Sequence, residues 1–201
     1  MSAVACVVCG KPATGKEERY FCSRAHQQVA HADGDERKEQ CRKLFTDHAV
    51  YTARALNALH ASWVLGDLTS SYEATALSAR LTRNQEEIGA FVGSAVLGIE
   101  LRKHINIAIN LVTVAFGGEG NFAKTKEAFE RNGNAVAREL TRVTGIPYET
   151  GTQPMFAQHN AHLVSMTVAR KERNHSREIE LFDAYYAHIL QMADAISSSF
   201  H

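Results

Sequence analysis

Cys6 and Cys9, with two valines between them, and Cys22 and His26, one helical turn apart, have the residue types and spacing that most directly imply chemistry. A Cys-x2-Cys pair turns two thiolates toward one ion, and a second pair further on completes a tetrahedron suited to Zn2+. Residues 1–35 contain too few apolar side chains to build a core. Metal binding worth roughly 10–16 kcal/mol in comparable peptides has to stabilise such a segment. The expectation is one structural zinc held by Cys6, Cys9, Cys22 and His26. Its layout is a treble clef: a knuckle shaped by Gly10 and Pro12, a hairpin through Thr14-Gly15-Lys16, and a short helix from Ser23.

A second set of residues is made of histidines. Phe45-x2-His48-x3-Thr52, Leu101-x2-His104-x3-Ala108 and Phe156-x2-His159-x3-Leu163 each place one imidazole on an apolar stripe, at intervals of 56 and 55 residues. Three chemistries fit, one of them acid–base work by these imidazoles. His48, His104 and His159 could meet inside a bundle as a second metal site, joined by His162, which shares a helix side with His159, and by Glu86 or Asp194. Alternatively each imidazole is a buried polar group capped from a neighbouring helix by Asn84, Glu86, Asn132 or Asn134. No Glu-x2-His pair occurs in the chain, which argues against a di-iron carboxylate centre.

The elements that must position these histidines read as helices. Leu44, His48, Tyr51, Thr52, Ala55, Leu59 and Trp63 form one stripe, and Leu97, Leu101, His104, Ala108, Leu111 and Ala115 form another. Breaks fall at Gly66-Asp67, around Gly93 to Gly98, at Gly117-Gly118-Glu119-Gly120, at Gly145-Ile146-Pro147 and near Asn174-His175. Asp33 to Glu39 reads as a charged hinge or as the capped first turn of the first long helix. The expectation is an all-α bundle of about six helices over residues 36–201, built from three repeated hairpins, behind the finger of residues 1–35. In a second register, Asn84 to Gly89 aligns with Asn132 to Ala137, and Tyr185, Tyr186, Ile189 and Met192 hold the third place.

Composition narrows the function classes. Of 201 residues 45% are hydrophobic, enough for a core, and 22 basic residues balance 22 acidic ones. Without a net field, nucleic acid is not an expected partner. Three of the four cysteines lie in the finger and Cys41 stands alone, which fits a reducing, intracellular setting, cytoplasmic or nuclear. The longest apolar run, Ile105 to Phe116, carries Asn106 and Asn110 and is too short to cross a bilayer.

Cys6-x2-Cys9-Gly10-Lys11 with Tyr20-Phe21-Cys22-Ser23-x2-His26-Gln27 resembles the MYND finger and its single-zinc treble-clef relatives. His26 stands where a cysteine is usual, and the middle pair of ligands for a second zinc is missing. The resemblance implies contact with other proteins. Leu81-Thr82-Arg83-Asn84-Gln85-Glu86-Glu87-Ile88-Gly89, Leu101-Arg102-Lys103-His104-Ile105 and Ile189-Leu190-Gln191-Met192-Ala193-Asp194 resemble a family of small bacterial helical proteins without an assigned activity. That resemblance implies a fold and little more. Gly117-Gly118-Glu119-Gly120 lacks the Lys-Ser/Thr ending of a phosphate loop, and no nucleophile elbow or dinucleotide fingerprint occurs. No catalytic residue is assigned. The function expected is a zinc-binding adaptor or structural protein acting through protein contacts. The alternative is a metal- or small-ligand-binding bundle, a sensor or hydrolase, using its core histidines.

Overall fold

The computed structural model describes the backbone of residues 24–200 and the side chains of residues 34–200. Cys6, Cys9, Cys22 and the side chain of His26 lie outside the described residues, and the zinc, knuckle and hairpin expectations lie there with them, while the short helix expected from Ser23 is instead the start of a helix of 42 residues, Arg24–Leu65. The described residues form α1 (Arg24–Leu65), α2 (Leu68–Phe91), α3 (Ala95–Ala115), α4 (Phe122–Thr144), α5 (Gln153–Lys171) and α6 (His175–Ser197). A π-helical turn, Tyr148–Thr152, leads into α5. Among the described residues there is no strand, so the architecture is an all-α bundle.

Local chemistry explains the boundaries. Asp67, Ser94, Asn121 and Asn174 sit just outside α2, α3, α4 and α6, and each side-chain oxygen accepts a backbone N–H of the first turn. Helix N-termini leave such donors without intrahelical partners, and a short polar side chain satisfies one of them. Gly145 ends α4 at φ 74°, a left-handed cap that glycine adopts without a side-chain clash. The five sequence breaks all fall at these junctions. The charged stretch Asp33 to Glu39 does not form a hinge or a first turn. It lies inside α1, where Glu, Lys and Arg are good helix formers and one glycine costs only about 1 kcal/mol.

By contacts the chain divides into residues 1–40 with 201, and Cys41–Phe200. Within the second unit α2 packs on α3, α3 on α4, α4 on α5 and α5 on α6. Residues of α1 from Cys41 onward complete the ring between α2 and α6. The Cys41 thiol donates to the Ala193 carbonyl at 3.4 Å, and Arg42 forms a two-pronged pair with Asp194. At the α2–α3 crossing a Cβ on Gly89 would stand 2.5 Å from the Cα of Gly98, so glycine is what permits this approach. Trp63, read as the end of the first stripe, is instead 49% exposed. No described helix is long and apolar enough to cross a membrane.

Three further bonds tie helices together in the same way. The Asn84 amide donates to the Leu44 carbonyl at 2.9 Å, the Asn132 amide to the Glu100 carbonyl at 3.4 Å, and the His188 Nε2–H to the Met155 carbonyl at 3.0 Å. Leu44, Glu100 and Met155 each stand four residues before one of the histidines His48, His104 and His159. In a helix that carbonyl already accepts the histidine's own backbone N–H, so the neighbouring helix uses its second lone pair.

Candidate functional site

α1, α3 and α5 carry His48, His104 and His159 into one layer of the core. His159 lies between the other two, its ring centroid 5.6 Å from His48 and 5.7 Å from His104. All three are buried. Tyr185, fully buried on α6, is 5.5 Å from His159 on another side, and Phe129 of α4 stacks on His104 at 4.3 Å. His162 does not join the trio. It is half-buried, meeting Tyr185 at 6.2 Å and His188 at 5.5 Å.

Hydrogen bonds fix the protons on two of the rings. Because Asn84 must present its NH2 to the Leu44 carbonyl, its oxygen faces Gln85, and the atom of Gln85 lying 3.0 Å away must be the nitrogen. That same nitrogen lies 2.9 Å from Nδ1 of His48 and can only donate to it. A neutral His48 therefore carries its proton on Nε2. Near α4 the logic reverses. Asn132 presents its NH2 to the carbonyl and carboxylate of Glu100, so its oxygen, 2.8 Å from Nδ1 of His104, accepts a hydrogen bond from that ring's Nδ1–H. A neutral His104 carries its proton on Nδ1, and its Nε2 is a bare lone pair.

A small cavity of about 30 Å³ is lined by His48, His104, His159, Tyr185 and apolar side chains including Leu56 and Phe129. Nε2 of His104, Nδ1 of His159 and the Tyr185 hydroxyl are buried without a hydrogen-bond partner among the described residues. The amide of Asn160 approaches His104 and the hydroxyl of Thr52 approaches Tyr185, near enough to affect titration but short of hydrogen-bond geometry. Asn160 is set by Gly133, where a Cβ would stand 2.4 Å from its amide nitrogen.

Electrostatically the layer is neutral. Burial depresses His48 to about 3, helped by the nearby His104, and depresses His104 to about 4 against the opposing pull of Asn132 and Asn160. His159 falls well below 6.5, first through burial and then through the other imidazoles. Burial pushes the Tyr185 phenol up, so it stays protonated. Among the described residues no carboxylate joins them: Glu86 pairs with Arg102, Asp47 with Lys43 and Asp194 with Arg42.

Among the described residues no set of three or more His, Cys, Asp or Glu side chains is placed to hold a metal ion. Proton placement supplies a physical reason, since three imidazole ligands need three lone pairs turned inward and His48 presents an N–H instead. Of the expected capping groups, Asn132 holds His104, Asn84 acts on His48 through Gln85, and Glu86 and Asn134 cap none of the three. Gln85, Asn160 and Tyr185 were not anticipated as site residues. Gln85 adjoins Asn84 and could have been suspected; the other two become polar members of the layer only through tertiary packing. No protein-family model matches this chain, and neither a curated protein nor a solved structure matches it significantly, so the reading of this site rests on its own geometry.

Proposed function

We propose that this protein acts by binding another protein rather than by turning over a substrate, with a single-zinc finger at Cys6, Cys9, Cys22 and His26 carried on a stable helical body. The observation that carries the proposal is a run of exposed apolar side chains where α1 gives way to α2. Trp63 is 49% exposed, Leu65 67%, Leu68 78% and Tyr72 80%, all within ten residues. Exposed aromatic and aliphatic side chains gathered at one place mark contact surfaces more often than scattered ones do. The occupant is an apolar surface of a different protein. Its counterpart inside the bundle supports the non-catalytic part of the reading: the histidines are buried and neutral, and among the described residues no carboxylate stands beside them. The three-hairpin reading belongs to the same proposal, and the recurrence of a carbonyl bond four residues before each core histidine supports it.

A photo-crosslinking residue at position 68, introduced in the cell that makes the protein, tests this reading. One defined partner should be captured, and the purified partner should bind a Trp63→Ser, Leu68→Ser, Tyr72→Ser variant at least tenfold more weakly than the wild type. Adducts formed only with second copies of this chain, or equal affinity of the variant, would refute it.

A further inference from the structure

We propose that the cavity among His48, His104, His159 and Tyr185 is a binding site for a water-sized, neutral, hydrogen-bonding molecule, held by a donor from α1 and an acceptor from α3. This inference is independent of the protein-contact reading. It starts from three buried polar atoms, Nε2 of His104, Nδ1 of His159 and the Tyr185 hydroxyl, which lack partners among the described residues and belong to side chains that line one cavity. An unmet buried polar group is costly, so three on the side chains around one space favour an occupant that bonds to them.

Size and charge identify the class of occupant. A cavity of about 30 Å³ has room for one or two waters but not for an aromatic or a branched molecule. The proton assignment is directional: His48 offers Nε2–H, His104 offers a lone pair, and the Tyr185 hydroxyl serves either way. A molecule with both a donor and an acceptor matches this, as water does. A metal cation would meet the His48 proton. A carboxylate or phosphate would enter an apolar space without a counter-charge, as the nearby carboxylates and cations are paired at the surface. A second small cavity of about 20 Å³ is lined by the same three histidines and by residues of α2 and α6, among them Gln85, Ile88 and Ile189.

The test uses the full chain labelled with 15N-histidine at pH 7.5. Long-range 1H–15N correlations should show His48 as the Nε2–H tautomer and His104 as Nδ1–H. A long-lived water should give a cross-relaxation signal to the His48 ring proton, and Tyr185→Phe should weaken that signal. The opposite tautomers would overturn the proposal, as would xenon uptake into the cavity in place of the water signal. So would one equivalent of Co2+ bound by a Cys22→Ser variant, in which the expected finger site is disabled, with loss of the His48 ring proton. If Tyr185→Phe does not fold, the wild-type tautomers and water signal still decide.

Discussion

Acidification from pH 7.5 to 5 should strip this bundle of much of its stability before its carboxylates are protonated. His48 and His104 titrate at about 3 and about 4 in the fold against 6.5 when exposed, and His159 lies well below 6.5. Their pKa values are depressed by folding, so their contribution is whole above pH 6.5. It is lost as pH falls, because the unfolded chain takes up protons that the fold refuses. Each such group removes about 1.4 kcal/mol per pH unit. At pH 5 that is about 2 kcal/mol apiece and about 6 kcal/mol for three, against a total stability of about 5–15 kcal/mol for an ordinary domain. His60, His162 and His188 are also lowered, chiefly by burial, and act in the same direction. Glu139, held low by Arg142, contributes its own loss only at more acid pH. Urea unfolding at pH 7.5, 6.5, 5.5 and 5 should give a steep slope, near 4 kcal/mol per pH unit at the acid end. Replacing His48 with Gln should flatten it by about a third. A free energy of unfolding that stays level from pH 7.5 to 5, or imidazoles titrating near 6.5, would refute the buried neutral layer.

Other expectations concern packing and metal. Gly133→Ala should cost about 1–3 kcal/mol in urea melts by displacing Asn160, and less when combined with Asn160→Ala, since both act on one contact. Gly89→Ala should cost at least as much, because its Cβ would meet the backbone of Gly98. Gly34→Ala, with nothing within 4 Å, should stabilise α1 by about 0.4–1 kcal/mol in thermal melts. Native mass spectrometry should find one zinc per chain, lost on chelation and absent from Cys22→Ser; full zinc occupancy in that variant would refute the ligand assignment.

Much of the bundle could be read from the sequence because its information is local. Helix ends depend on one polar side chain and a few backbone N–H groups, so Asp67, Ser94, Asn121 and Asn174 mark starts that a reader of the chain can place. The stripe from Leu97 to Ala115 is buried at every position named, since a single helix face turned into the core repeats with the helical period. Trp63 departs from its stripe because α1 outlasts the core it packs against. Periodicity reports a face and cannot report where the neighbouring helices stop. The charged run from Asp33 carries no sign of its own that it continues a helix.

The histidine layer shows the same limit in chemical form. Spacing could place three imidazoles on inward faces, but it could not decide between a metal site and a capped polar layer. That choice depends on which ring nitrogen carries the proton, and the proton is set two bonds away. The Leu44 carbonyl orients Asn84, Asn84 orients Gln85, and Gln85 leaves His48 a donor; the Glu100 carbonyl orients Asn132, which leaves His104 an acceptor. Each chain begins at a backbone carbonyl whose position is fixed by its helix, so the register of α2 on α1 and of α4 on α3 determines the polarity of the core. A slip of either pair by one residue would strand these amides and imidazoles without partners in a low-dielectric interior, at about 1–3 kcal/mol for each group. Buried polar groups of this kind add little net stability when satisfied. They act against alternative packings, and here that selectivity fixes the register of α2 on α1 and of α4 on α3.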